Sequence, residues 1–250
     1  SIGGFTEKPD IFLAKKYFGP LPKGEPITVK SLDEVDQKGI KRVTVKRPAE
    51  LPYLMMAYKT PVVKPGSEKQ ENHDWEPYAL EVLAGILDGG SSARIASRLV
   101  RGSEIAAGAS AGYRMVSRLD NLFIMSGTPS KGKTANELET ALRNEIKDLQ
   151  SNPITTEELQ RVKAQVISSD VYEKDSVFYQ GMILGTLETV GLSWRLADIY
   201  VDSVKAVTAE QVMAVAKKYL IDDRLTVAEL DPLPMDGQPR RPRGGNPHGR

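Results

Sequence analysis

One apolar segment, residues 75–88, gives the first constraint on the fold because it follows helical spacing and then stops abruptly. Its apolar side chains recur at intervals that place most of them together along a helix, and paired glycines follow at once. The residues concerned are Tyr78, Leu80, Val82, Leu83 and Ile86, followed by Gly89-Gly90. We therefore predict a helix over 75–88 whose apolar side chains need a second layer of structure to pack against.

Strand patterns lie on both sides of this helix. Polar and apolar residues alternate over 42–46, as expected for a half-buried strand. Small residues alternate over 104–115, and an apolar run over 119–127 follows, which predicts an antiparallel pair turning near Ser117-Arg118. Further strands are predicted over 53–58 and 224–230.

Three later helices are predicted from their first residues. In each, a threonine hydroxyl can accept a hydrogen bond from a free backbone amide of the first helical turn. A carboxylate or amide side chain three positions later can reach back to the backbone amide of the threonine. The pairs are Thr134 with Glu137, Thr155 with Glu158 and Thr208 with Gln211, and further helices are predicted over 92–100, 176–190 and 193–205. This order of elements predicts an α+β fold, a largely antiparallel sheet with helices packed on one face.

Composition excludes several classes of function. A formal net charge of +1 over 250 residues gives no electrostatic field that would attract nucleic acid, so no nucleic-acid partner is expected. The absence of cysteine excludes disulfides, thiolate nucleophiles and Cys-ligated zinc, yet fits both the cytosol and the periplasm. No apolar run approaches the roughly 20 residues of a membrane span, so we expect no span and see no leader sequence.

The chain divides into four predicted parts. A short amphipathic helix near residues 11–18 ends at Gly19-Pro20, and residues 23–40 form a linker rich in Pro, Gly and charge. A compact domain is predicted over 41–232. The tail, 233–250, contains Pro, Gly and Arg and too little apolar surface to order itself.

The predicted helix 75–88 carries an incomplete zinc motif. A helical zinc protease needs two imidazoles one turn apart with a carboxylate between them, as in H-x-x-E-H. Here Glu81 stands between Tyr78 and Val82. Neither the aromatic ring of Tyr78 nor the isopropyl group of Val82 can replace the imidazole of a zinc-binding histidine. We interpret Tyr78, Glu81 and Val82 as degenerate zinc-motif positions, and favour a surface or paired carboxylate over a general base for Glu81.

The histidines of the sequence do not indicate a metal-binding or catalytic site. The two histidines are His73, which precedes a helix entry at Pro77, and His248, which lies in the tail. The glycine-rich stretch after residue 88 is better explained as a helix end than as a phosphate site. We therefore predict no catalytic residue, metal ligand or cofactor in this chain.

Several segments in order resemble the pitrilysin/insulinase (M16) family of zinc metallopeptidases, in particular its bacterial two-domain members. They include Leu51-Pro52-Tyr53-Leu54, residues 83–94, Arg98-Leu99-Val100-Arg101, residues 207–212 and residues 226–230. The resemblance implies the M16 metallohydrolase fold that is also found in LuxS and mitochondrial processing peptidase. It further implies that residues 1–22 end a preceding zinc-bearing domain and that 41–232 form the non-catalytic C-terminal domain.

The resemblance also implies site residues. In the family's second half an arginine and a downstream tyrosine commonly hold the substrate near the zinc of the other domain. Arg101 matches the arginine, whereas Ala107 falls about where the tyrosine is expected. Tyr113 is a possible stand-in, although a tyrosine at a sheet edge is the commoner interpretation. Arg101 itself is as compatible with a surface ion pair as with substrate binding.

Three functional hypotheses follow. The first is a non-catalytic domain that encloses an extended peptide for a zinc metallopeptidase, with zinc in a catalytic M16 domain from the same gene or a separate subunit. The second is an inactive structural or assembly subunit of the same fold, and the third is an independent peptide-binding module. The resemblance to bacterial members favours the periplasm, with the cytoplasm as the alternative.

Overall fold

The computed structural model describes residues 9–22, 24, 35–69 and 74–235. Both histidines, most of the predicted linker and the tail from residue 236 onward lie outside these ranges. Helix α1 spans Pro9–Phe18, where a short helix was expected. Among its apolar side chains whose exposure is described, Phe12, Tyr17 and Phe18 are exposed.

Five strands form one mixed sheet in the order β1-β5-β2-β4-β3. They are β1 (Lys41–Pro48), β2 (Tyr53–Thr60), β3 (Ala106–Gly112), β4 (Asn121–Pro129) and β5 (Leu225–Leu233). Strand β1 is parallel to β5, and the other pairs are antiparallel. The predicted α+β fold with a largely antiparallel sheet is therefore confirmed.

Strand β2 shows that the sheet has a covered and an open face. Leu54, Met56 and Tyr58 are buried, whereas Tyr53 and Met55, which alternate with them, are exposed. Successive side chains of a strand point to opposite faces of the sheet. The helices therefore cover the face that carries Leu54, Met56 and Tyr58.

The helices in the second layer are α2 (Glu76–Asp88), a π-helix (Ile95–Val100), α3 (Ala135–Ser151), α4 (Thr156–Lys174), α5 (Val177–Thr189), α6 (Leu196–Ala206) and α7 (Ala209–Tyr219), with a short 3-10 turn at Asp222–Arg224. Helix α2 is central: Leu80, Leu83 and Ile86 have no solvent-exposed surface. A Cβ added at Gly85 would lie 2.6 Å from Cγ1 of Val162, so this glycine permits the close approach of α2 and α4. None of the helices in the described ranges is long and apolar enough to cross a membrane.

Two of the three predicted helix starts are complete capping boxes. At Thr134 and Thr208 the hydroxyl accepts from the backbone while the partner side chain returns to the threonine amide. At Thr155 the hydroxyl accepts from the amide of Glu158, but the Glu158 carboxylate instead accepts two hydrogen bonds from Arg94, at 2.9 and 2.8 Å. The charged partner therefore takes the carboxylate away from the cap.

Element boundaries differ from prediction mainly in the β3–β4 region. Strand β3 ends at Gly112 rather than residue 115, and β4 begins at Asn121 rather than residue 119. The segment predicted as a helix over 92–100 is a π-helix starting at Ile95. Near the predicted tail boundary, Leu233 still pairs with Pro48 in the sheet.

Candidate functional site

Helix α2 places the three degenerate motif positions in different surroundings. Val82 has no exposed surface and packs in the core, where it offers no metal donor. The Tyr78 ring is buried, its hydroxyl is hydrogen-bonded with the side chain of Ser203, and it lies 6.3 Å from the Tyr200 ring, centroid to centroid. These residues do not fit a zinc site, because one position lacks a donor atom and the other is a buried phenol already bonded.

Glu81 lies on the same helix at the wall of a cavity. The Tyr200 hydroxyl is hydrogen-bonded with its carboxylate, while Oε2 is shielded from solvent and has no hydrogen-bond partner among the described residues. The pKa of Glu81 is raised to about 7, chiefly by burial; the Tyr200 hydrogen bond opposes the rise, and the charge of Asp170 adds to it. A desolvated carboxylate with a free oxygen is typical of a binding or catalytic position rather than of a surface salt bridge.

The cavity beside Glu81 has a volume of about 510 Å³ and lies between helices α2, α4, α5 and α6. Most of its walls are apolar, including Val63, Met115, Val166, Met182, Ile183, Leu187 and Leu196. Its charged lining residues are Glu81, Asp170, Glu173 and Lys174. Lys174 Nζ lies 2.8 Å from Oδ2 of Asp170, so the lysine is already paired with one of the carboxylates.

Arg101 lies away from this cavity, where the chain leaves the π-helix. Its exposed guanidinium donates from Nη2 to the carbonyl of Ser91 at 2.5 Å. Ser91 follows the C-terminus of α2, and roughly 10 Å of helix separates Glu81 from Asp88 at that end. Arg101 therefore lies at the opposite end of α2 from the degenerate motif.

Tyr113 directly follows β3, two residues before Met115, which lines the cavity. Its hydroxyl donates to the carbonyl of Pro61 at 2.6 Å, and its ring stacks with Phe123 at a centroid distance of 6.4 Å. Burial, with the charge of Glu81 as the second cause, raises the pKa of Tyr113 above its ordinary value. Arg101 and Tyr113 therefore flank opposite ends of β3, and their roles in substrate binding stay predictions.

The free edge of β3 runs between these two residues. The strand pairs with β4, and among the described residues no strand lies on its other side. The Ala111 amide donates to Oδ2 of Asp88 at 3.1 Å, so it points away from β4. Because amide direction alternates along a strand, Ala109 also directs its N–H outward. Ala107, where the family tyrosine was expected, is exposed at a register shift between Ala106 and Gly108.

Sequence reasoning missed four residues that build this region: Asp88, Asp170, Tyr179 and Tyr200. Asp170, Tyr179 and Tyr200 line the same cavity as Glu81 and come from three other helices, α4, α5 and α6. No motif joins them to residues 78–82. A weak signal existed in the apolar side chains of α5, which are not confined to one face of the helix; in the structure this helix buries only Leu187.

Comparison with known proteins decides the family. Residues 3–166 match the sequence profile described as the peptidase M16 inactive domain. The chain belongs to this family. The resemblance recognised in the sequence is therefore confirmed, whereas a search of curated proteins found no match.

Solved structures share the fold of this M16 domain. It superposes on a protease from Helicobacter pylori with a TM-score of 0.80 and 19% identity, over 91% of this chain and 53% of that one. It matches the inactive peptidase domain of a candidate zinc protease from Bordetella parapertussis with a TM-score of 0.64 and 20% identity, over 80% and 98%. The periplasmic protease PqqL from Escherichia coli matches with a TM-score of 0.72 and 12% identity, over 91% and 25%. The chain thus spans about half of the Helicobacter protease.

Proposed function

We propose that this M16 domain is the non-catalytic, substrate-enclosing part of a zinc metallopeptidase that hydrolyses peptides. Zinc would be held by a separate catalytic M16 domain, because Tyr78 and Val82 cannot supply its imidazole ligands. The reaction would be metal-assisted hydrolysis in that domain, and this chain would bind and orient the peptide. The relationship to inactive peptidase domains supports this division of roles.

The free edge of β3 is the observation that carries the proposal. An extended peptide can add to such an edge by main-chain hydrogen bonds. The small side chains of Ala107, Gly108 and Ala109 leave the backbone open to close approach. Asp88 already occupies the outward amide of Ala111, so the peptide would pair with the part of β3 that precedes it.

Two side chains would assist at the ends of this edge. The exposed Arg101 guanidinium would hold a carbonyl oxygen of the peptide, exchanging its bond with the Ser91 carbonyl for one with the substrate. Tyr113 would line the other end, where it is fixed by Pro61 and Phe123. Its role would be to shape the wall rather than to donate a hydrogen bond.

The N-terminal residues 1–22 would end the preceding zinc-bearing domain. Helix α1 supports this assignment because Phe12, Tyr17 and Phe18 are each more than 60% exposed, at 65%, 64% and 70%. Such a cluster of large apolar side chains is typical of a helix that packs on another domain. The periplasm is the proposed compartment, supported by the fold shared with a periplasmic protease.

A proline substitution tests strand addition directly. Ala109→Pro removes the outward N–H but leaves the β4 ladder intact, whereas Ala109→Ser keeps the donor at similar size. In the complete enzyme, this chain with its catalytic domain, we expect Ala109→Pro to lower kcat/KM for an unstructured peptide without basic residues by tenfold or more. Ala109→Ser should stay within about twofold of wild type, since it keeps the hydrogen bond.

The opposite result would favour a different role. Equal hydrolysis by both folded variants would exclude β3 as a substrate edge. Sedimentation would then show whether the chain is needed only to keep the complex assembled. In that case the hypothesis of a structural or assembly subunit would replace that of a substrate-enclosing domain. Unfolding temperatures of both variants, compared with wild type, separate these outcomes from simple misfolding.

A further inference from the structure

The cavity next to the degenerate zinc motif contains an acid whose second oxygen has no partner. Glu81 shares one interaction with Tyr200, and its Oε2 has no hydrogen bond among the described residues. Leaving a buried carboxylate oxygen unpaired costs free energy that an aliphatic residue at this position would not incur. A side chain held at that cost is best explained by a ligand that supplies the missing partner for Oε2.

The shape and lining of the cavity fit an elongated group with an apolar stem. Met115, Val166, Ile183 and Leu187 supply aliphatic walls over a volume of about 510 Å³. Arginine and lysine have such stems, which pack on apolar surfaces while the charged head finds a polar partner. The rings of Tyr78 and Tyr200 add aromatic surface near the carboxylate, which also attracts cations.

The charges around the cavity favour a cation over an anion. Among the described lining residues, Glu81, Asp170 and Glu173 stand against Lys174 alone. Lys174 is paired with Asp170 at 2.8 Å and also donates to the Ala197 carbonyl at 3.2 Å. The lysine is therefore engaged by residues of α4 and α6, and it forms no ion pair with Glu81.

Helix α5 forms the wall through which a guest would enter. It buries only Leu187, whereas Phe178 and Met182 on the same helix are 81% and 47% exposed. Elements with few buried contacts open at low cost in free energy. Movement of α5 would bring a bound head group to the shielded Oε2 of Glu81.

We propose that this cavity is a subsite for the basic side chain of a bound peptide, an arginine or a lysine, with Glu81 as its counter-ion. The identity of the guest rests on the proposed peptide-enclosing function. The degenerate motif would then have exchanged metal binding for recognition of a cation at the same turn of α2.

A pair of peptides tests the subsite. Acetylated, amidated Gly-Gly-Arg-Gly-Gly is compared with the same peptide containing citrulline, which keeps the shape of arginine and removes its charge. At pH 8 we expect the 250-residue chain to bind the arginine peptide at least tenfold more tightly. The methyl resonances of Met115 and Met182, which line the cavity, should shift on binding. Equal affinity for the citrulline peptide, or shifts only at other methionines, would overturn the proposal.

Two variants and a pH series sharpen the test. Glu81→Gln should abolish the preference for arginine over citrulline, whereas Glu157→Gln, which removes one exposed charge from the start of α4, should keep it. The preference should grow as pH rises through about 7, where Glu81 ionises. Preference retained in Glu81→Gln would also overturn the proposal. This binding preference is measured without catalysis. Its result is therefore independent of the test of the proposed function, which measures hydrolysis of a peptide without basic residues.

Discussion

The carboxylate of Asp88, the last residue of α2, accepts a hydrogen bond from the backbone amide of Ala111 on the free edge of β3, at 3.1 Å. The bond connects the helix that carries the degenerate zinc motif to the strand proposed to bind substrate. It also closes one outward-facing donor of that strand. Burial raises the pKa of Asp88, and the hydrogen bond from Ala111 partly offsets the rise.

Replacing Asp88 should therefore loosen the edge. We expect Asp88→Ala to lower the free energy of unfolding by about 1 kcal/mol, the net value of such a hydrogen bond, and the melting temperature by a few degrees. Differential scanning calorimetry measures both. Asp120→Ala, at an exposed acid in the β3–β4 connection, is the matched control and should change neither. Faster hydrogen exchange at Ala111 in Asp88→Ala would locate the effect, and unchanged exchange there would contradict it.

Arg101 should matter for catalysis and little for stability. In the complete enzyme we expect Arg101→Ala to lower kcat/KM by tenfold or more, which corresponds to roughly 1.4 kcal/mol of lost transition-state binding. Its exposed hydrogen bond to Ser91 contributes little to the fold, so the melting temperature should stay within about 1 °C. Arg118→Ala removes an exposed arginine from the β3–β4 connection and should leave hydrolysis unchanged. Full activity in Arg101→Ala would remove this arginine from the site.

Glu81 should make stability depend on pH. Its pKa in the folded chain is about 7, above the ordinary 4.5, so the folded state holds the proton more tightly than the unfolded state. The stabilising effect of protonation is therefore complete below pH 4.5 and is lost as pH rises through about 7. The groups that face Glu81 are Tyr78 on α2, Asp170, Glu173 and Lys174 on α4, Tyr179 on α5 and Tyr200 on α6.

Glu81→Gln removes this titration and isolates its contribution. We expect the variant to gain stability over wild type by an amount that grows between pH 4.5 and pH 7.5, on the order of 3 kcal/mol at most. Urea unfolding at a series of pH values measures the difference. A constant difference across the range, like that expected for Glu157→Gln, would show that the Glu81 carboxylate is not desolvated in solution.

Zinc should not bind this chain stoichiometrically. Within the described ranges no group of three His, Cys, Asp or Glu side chains is arranged to hold a metal ion, and Tyr78 and Val82 supply no imidazole. Metal analysis after dialysis against zinc is expected to give much less than one ion per chain. One tightly held zinc that survives replacement of both His73 and His248 would contradict the assignment of the metal to another domain.

Local chemistry along the sequence determined most of the secondary structure. Thr134 and Thr208 begin helices because each cap is completed within three residues, and Gly89 ends α2 for similarly local reasons. The loss of zinc ligands was also readable, since it depends only on which side chains occupy positions 78 and 82. The order of strands and helices was sufficient for the fold class.

The tertiary structure alone decided the surroundings of these residues. Glu81 became a desolvated acid because helices α4, α5 and α6, which lie far along the chain, pack around it. In the same way, Arg94, which is distant along the chain, donates two hydrogen bonds to the Glu158 carboxylate that was predicted to complete the helix cap at Thr155. Spacing along a chain reports contacts within one element. Burial, pairing and cavity shape depend on which distant elements meet, so the pKa of Glu81 could not be predicted from the sequence.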